Sequence, residues 1–152
     1  QALLTREARV PGLDGEKMSK SYNNTITLRE TPATVEQKVR TMKTDPARVR
    51  RTDPGDPARC PVFDLHQIYT PEATRATLAE GCRSAGIGCL DCKRPLIEAI
   101  NVEQAGMRER ARPFEEDPGL VRTILVEGSE RARAVARETL EEVRAVIGIS
   151  HR

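Results

Sequence analysis

Ahead of three apolar-periodic stretches a residue that caps helices is followed at once by proline: Thr31-Pro32, Thr70-Pro71 and Asp117-Pro118. Proline fixes its own φ near the helical value and wastes no hydrogen bond at the first helical position, so each pair marks a helix start. Behind Thr31, the apolar residues Val35, Val39 and Met42 recur at helical spacing, which predicts a helix from about Pro32 to Lys43. Val62, Leu65 and Ile68 predict a second over 62–69, and Thr70-Pro71-Glu72 opens a third that reaches about Ser84. Gly86, Gly88 and Cys89 interrupt it. Asp91 then caps a helix with Leu96, Ile97 and Ile100 that extends to about Arg112. Asp117 starts another with Leu120, Ile124 and Leu125, and Ser129 begins a last one through Ala134, Val135, Leu140, Val143 and Ile147. Aromatic residues make up only 3% of the chain, so the core rests on Leu, Ile, Val and Ala, a composition that suits helices better than a β-sandwich. Only Ala8-Arg9-Val10, read as a strand end, and the alternating Thr25-Ile26-Thr27-Leu28 look extended. Everything after Thr31 reads as a helical bundle.

The 152 residues, 38% hydrophobic and 32% charged, match a soluble globular protein of one domain with a short neighbour. A net charge of +2 excludes a generalised nucleic-acid coat, although 20 of the 25 basic residues are Arg, whose planar fork suits phosphate. No apolar run approaches the roughly 20 residues of a membrane span, and the start lacks the order of a signal peptide. A cytoplasmic protein without membrane partners is expected. Residues 44–59 form a Pro-rich loop in which Arg48, Arg50, Arg51 and Arg59 alternate with acids. An RNA-facing cluster and a self-neutralising surface loop are equally good readings of it. The alternating Arg and Glu between Glu127 and Arg144 read as the solvated face of an amphipathic helix. His66 reads as a satisfied, partly buried residue rather than a ligand.

Near the start, Gly15-Glu16-Lys17-Met18-Ser19-Lys20-Ser21 places two lysines and two serines on a glycine-led loop. Lysine ammonium groups are compact charges on flexible stems, able to swing onto a polyphosphate as negative charge rises there, and the serine hydroxyls add donors. The turns at Pro11-Gly12 and Asp14-Gly15 leave this stretch on a mobile surface loop. A plain solvated lysine loop is the competing reading.

All four cysteines, Cys60, Cys82, Cys89 and Cys92, lie within one segment, spaced C-x21-C-x6-C-x2-C. Disulfides are disfavoured because nothing points to an oxidising compartment. Structural zinc is chemically reasonable but normally shows two close pairs, and here only Cys89 and Cys92 form one. Isolated buried thiols remain possible. Three ligands within eleven residues and one remote also suit a four-iron four-sulfur cluster, with Gly86 and Gly88 free to offer N–H groups to sulfur. Lys93 and Arg94 are placed to balance its charge or to reach RNA.

Lys17-Met18-Ser19-Lys20-Ser21 resembles in full the KMSKS signature of class I aminoacyl-tRNA synthetases. Val10-Pro11-Gly12-Leu13-Asp14-Gly15 before it is similar to the approach in the tryptophanyl and tyrosyl branch, and Asn23-Asn24 after it resembles the tryptophanyl enzymes. Met42-Lys43-Thr44-Asp45-Pro46 and Cys60-Pro61-Val62-Phe63 with His66 are similar to the bacterial tryptophanyl enzymes that carry an iron-sulfur cluster. The resemblance implies a mainly α fold: residues 1–30 as the end of a Rossmann-like catalytic domain, and 31–152 as a helical tRNA anticodon-binding domain with its cysteine cluster at 60–92. It implies ATP held by Lys17, Met18, Ser19, Lys20 and Ser21, with Lys17 and Lys20 catalytic and Mg²⁺ sharing the phosphate charge. It implies a 4Fe-4S cluster, or alternatively Zn²⁺, on Cys60, Cys82, Cys89 and Cys92. L-tryptophan and tRNA(Trp) are the implied partners, and the parent is expected to be a homodimer. Arg48, Arg50, Lys93 and Arg94 are candidates for reading the RNA. In that family the nucleotide-binding sheet precedes the lysine loop, so this chain is expected to be a piece that is inactive alone. The rival reading is a non-catalytic RNA-binding module with a structural iron-sulfur or zinc site; the mass of the native gene product separates the two.

Overall fold

The computed structural model describes residues 9–149, and among them helices dominate. α1 spans Pro32–Thr41, α2 Pro61–Tyr69, α3 Glu72–Arg83, α4 Cys89–Glu116 and α5 Pro118–Ile147. Two compact units result, Gln1–Arg108 and Glu109–Arg152, and the division falls within α4. The strand end expected at Ala8-Arg9-Val10 lies partly outside the described residues. Arg9 and Val10 carry no regular structure, and an antiparallel bridge joins Pro11 to Lys17. Thr25-Ile26-Thr27-Leu28 pairs with no strand among the described residues. Instead Ile26 packs on the helices and the Thr27 carbonyl accepts from the Gln104 side chain at 3.2 Å.

In the first unit, α1, α2 and α4 bury one face each. Val35, Val39, Met42, Val62, Leu65, Leu96 and Ile100 form the core, with Leu13, Ile26, Cys60 and Tyr69 packed around it. Each such aliphatic side chain contributes about 1.5–3 kcal/mol by leaving water, so this cluster fixes the three helices. Thr31 caps α1 as expected, its hydroxyl accepting from Thr34 N–H at 3.2 Å. α1 ends at Thr41, two residues short of the expected Lys43, and the Lys93 ammonium accounts for this stop. It donates to the Arg40 and Met42 carbonyls at 2.8 and 2.6 Å, filling acceptors that a helix end leaves open and setting a cation at the negative end of the dipole. Lys93 is only 3% exposed, so it does not face RNA.

Thr70 does not cap α3. Its hydroxyl is engaged by His66 at 2.8 Å, and Pro71 precedes the helix with no side-chain cap. α4 begins at Cys89, two residues before the expected cap. Asp91 sits in its first turn and accepts the Gly88 N–H at 3.3 Å, so that N–H is spent on a carboxylate rather than on sulfur. The helix also continues past Pro113, because the carbonyl which that proline leaves unbonded belongs to exposed Glu109 and meets water.

In the second unit, Asp117 accepts from Gly119 and Leu120 N–H at 2.8 and 3.2 Å, a two-bond cap. α5 then runs unbroken to Ile147, where Gly148 turns left-handed at φ 71° and Ile149 N–H returns to Arg144 O at 3.0 Å. The second helix expected at Ser129 does not exist. The Gly128-Ser129 pair costs a helix only about 1 kcal/mol, too little to break it without a proline. The Glu and Arg side chains of α5 are exposed, with Arg131 near Glu127 at 4.0 Å, as a solvated face requires.

Candidate functional site

The lysine loop is tightly built. Met18 N–H donates to Val10 O at 3.0 Å and Gly12 N–H to Glu16 O at 2.6 Å, closing a small hairpin whose tip is Gly15 at φ 89°. A side chain at Gly15 would meet the Pro61 ring at 2.8 Å, so the tip rests on the first residue of α2. Lys20, Ser21 and Tyr22 form one 3-10 turn, closed by Asn23 in the left-handed region at φ 52°. Lys17, Lys20 and Ser21 are exposed, while Met18 and Ser19 are half-buried. The loop is therefore not a free tether. Asn24, 3% exposed, reaches into it and bonds three of its segments. Sequence reasoning saw Asn24 as a family resemblance and missed this role; the clue was a second asparagine directly before a β-branched run. Asp14 accepts from the Asn24 amide, and that hydrogen bond holds its carboxyl below the usual carboxylate range.

The cysteines come from three helix ends. Cys60 caps the start of α2, Cys82 lies in the last turn of α3, and Cys89 and Cys92 occupy the first turn of α4. None is in a disulfide, and each is half-buried. The four share one neighbourhood: burial pushes the Cys92 thiol up to about 12, and the charges of Cys60, Cys82 and Cys89 add to the shift. Burial likewise raises Cys60, while backbone hydrogen bonding from Phe63, Asp45 and Val62 pulls the other way. Among the described residues, no three His, Cys, Asp or Glu side chains stand grouped as ligands of one metal ion.

Two buried cations flank these thiols. Lys93 is one; the other, missed in the sequence, is Arg48, only 8% exposed. Its guanidinium donates to the Arg51 and Ile87 carbonyls at 2.8 and 2.6 Å and approaches Cys82 Sγ at 3.8 Å, while its Nε–H is buried without a partner. Arg48 is thus tied inward and does not face RNA; 34 residues separate it from Cys82, so no local pattern announced the contact. Arg94 is exposed and pairs with Asp91 at 3.2 Å, leaving charge balance to Arg48 and Lys93. Gly55 is required beside them, because a Cβ there would meet Cys82 Sγ at 2.7 Å. Arg50 remains exposed and, with Arg51, Val49, Gly88 and Leu90, lines an open cavity of about 380 Å³.

His66 is fully buried and satisfied. Its Nε2 faces the Cys92 carbonyl at 3.1 Å, which can only accept, so Nε2 carries the proton and Nδ1 accepts from the Thr70 hydroxyl. Burial lowers its pKa to about 4, so the ring is neutral at pH 7.

Residues 1–103 match the family of class I tRNA synthetases (W and Y). The chain is 58% identical over 151 residues to a tryptophan-tRNA ligase of Ralstonia nicotianae, covering 99% of this chain and 38% of that protein. It is 47% identical over 150 residues to one of Deinococcus radiodurans, covering 97% and 46%. A crystal structure of tryptophanyl-tRNA synthetase from Campylobacter jejuni, complexed with ADP and tryptophan, superposes with a TM-score of 0.80 at 30% identity, over 97% of this chain and 46% of that one. The chain spans less than half the length of the relatives it matches.

Proposed function

The chain belongs to the class I tRNA synthetases of the tryptophan and tyrosine branch, and on that premise we propose that it supplies the lysine loop and the tRNA-binding helices of a tryptophan-tRNA ligase. The observation that carries this reading is the 58% identity to a protein of that name across nearly the whole chain. The parent reaction joins tryptophan and ATP into an adenylate, releasing pyrophosphate, and then passes the amino acid to tRNA(Trp). Residues 31–152 act as the anticodon-binding domain, and residues 1–30 end the catalytic domain.

Lys17 and Lys20 leave the loop as exposed ammonium groups on either side of half-buried Ser19. In the adenylation step they meet the β- and γ-phosphates, where charge accumulates as the bond to the α-phosphorus breaks. Because that charge is largest in the transition state, they lower the barrier more than they tighten ATP binding. Mg²⁺, when bound with ATP, would supply further positive charge for this step. Ser19 and Ser21 add hydroxyl donors.

The cysteines fit the iron-sulfur cluster that the resemblance implies. Four unbridged sulfurs at three helix ends, with two buried cations and the unpartnered Arg48 Nε–H beside them, support this reading. Cys60, Cys82, Cys89 and Cys92 would hold the cluster, which supplies metal-sulfur bonds that tie three helix ends together. Arg48 and Lys93 offset its negative charge.

Lys20→Ala in the intact synthetase tests the assignment. Tryptophan-dependent ATP-pyrophosphate exchange should fall by about 10²-fold or more, with the KM for tryptophan nearly unchanged, as loss of a transition-state contact requires. A kcat near that of the parent would sink it.

A further inference from the structure

We propose that Asn24 is a positioning residue for adenylate formation, acting through Lys17 and Lys20 without touching ATP; the inference rests on the reading of the lysine loop given above. Its carboxamide is fully used. Oδ1 accepts Ser19 N–H at 2.8 Å, and Nδ2 donates both hydrogens, to Asp14 Oδ1 at 2.8 Å and to Lys17 O at 3.2 Å. Its backbone carbonyl accepts Leu13 N–H at 2.9 Å. Asp14 Oδ1 in turn accepts Glu16 N–H at 3.0 Å, so one buried side chain and one carboxylate fix the backbone from Leu13 to Ser19.

The network admits one orientation of the amide, since a flipped Asn24 would set NH₂ against an N–H and C=O against a carboxylate and a carbonyl. It also specifies the residue. An aspartate at this place would bring a second carboxylate to Asp14 and give no donor to Lys17. Gly12 completes the fit: a Cβ there would lie 2.2 Å from Asn24 Nδ2 and 2.9 Å from its backbone oxygen, so the amide occupies the space that a side chain would need. The bonded atoms are the Lys17 carbonyl and the Ser19 N–H, which lie on the backbone between the stems of the two lysines. A flexible ammonium gains most when its backbone root is placed beforehand, because misplacement by about 1 Å can cost on the order of 10²-fold in rate.

The test is Asn24→Ala in the intact synthetase, alone and combined with Lys20→Ala. Alone, it should lower kcat for tryptophan-dependent pyrophosphate exchange by about 10- to 100-fold with the KM for tryptophan within about twofold. In the Lys20→Ala background it should cost clearly less than it does alone, because one of the two groups it positions is gone. Without substrates, Ser19 N–H should lose its protection from hydrogen exchange in Asn24→Ala. Equal costs in both backgrounds, or a single-variant loss below threefold, overturn the proposal. If Lys20→Ala itself leaves exchange unaltered, the reading of the loop has failed and the inference falls with it; a slow Lys20→Ala beside a fast Asn24→Ala refutes the inference alone. Should Asn24→Ala not fold, Asp14→Ala removes one side of the clasp from a half-exposed position and is judged by the same outcomes.

Discussion

Arg48 spends one nitrogen, Nη2, on two carbonyls and a second, Nη1, on Cys82, yet its Nε–H is buried with no acceptor. A buried N–H left unmade costs about 1–3 kcal/mol, and the anionic sulfur of the proposed cluster would remove that cost. Protein purified without oxygen should therefore be brown and contain about four iron and four sulfide per chain. Cys89→Ser should lose both and melt at a lower temperature. One zinc in colourless protein would overturn the cluster but leave a structural metal. At this scale the sequence showed chemistry better than contact. Lys17, Lys20 and the four cysteines were singled out by motif and spacing alone, and His66 read correctly as a satisfied residue. The roles of Asn24 and Arg48, and the bonds of Lys93 to the end of α1, were not legible, because each works through partners fixed only by folding: Lys93 lies 51 residues from the Met42 carbonyl it fills.

Among the elements, starts were more legible than ends. Thr31-Pro32 and Asp117-Pro118 cap helices as read, since a capping bond is local. Thr70-Pro71 misled because His66 had already claimed the hydroxyl. α5 was split at Ser129 on the strength of a capping residue alone, and the continuous helix is a physical claim open to test. Glu130→Pro would be harmless at the first position of a helix capped by Ser129. Inside α5 it removes a bond and clashes with the preceding turn, so it should cost about 3 kcal/mol and visibly reduce helicity in circular dichroism. An unchanged spectrum and unfolding midpoint would restore the break.

For the whole molecule, the helical character was plain from composition and spacing, whereas the extent of the compact units was not. Packing unites the lysine loop with α1 to α3 and the first part of α4 through Arg108, a grouping made by Leu13 and Ile26 against the helical core. Such long-range contacts leave no periodic trace in a sequence. The proposed reaction is that of the relatives, of which this chain spans less than half the length. The most direct measurement is ATP-pyrophosphate exchange by the intact synthetase, run with tryptophan and with tyrosine as alternative amino acids. Exchange should be robust with tryptophan and at least about 10²-fold weaker with tyrosine, the other substrate of this branch. Exchange that follows tyrosine, or none with either amino acid, would contradict the proposed reaction.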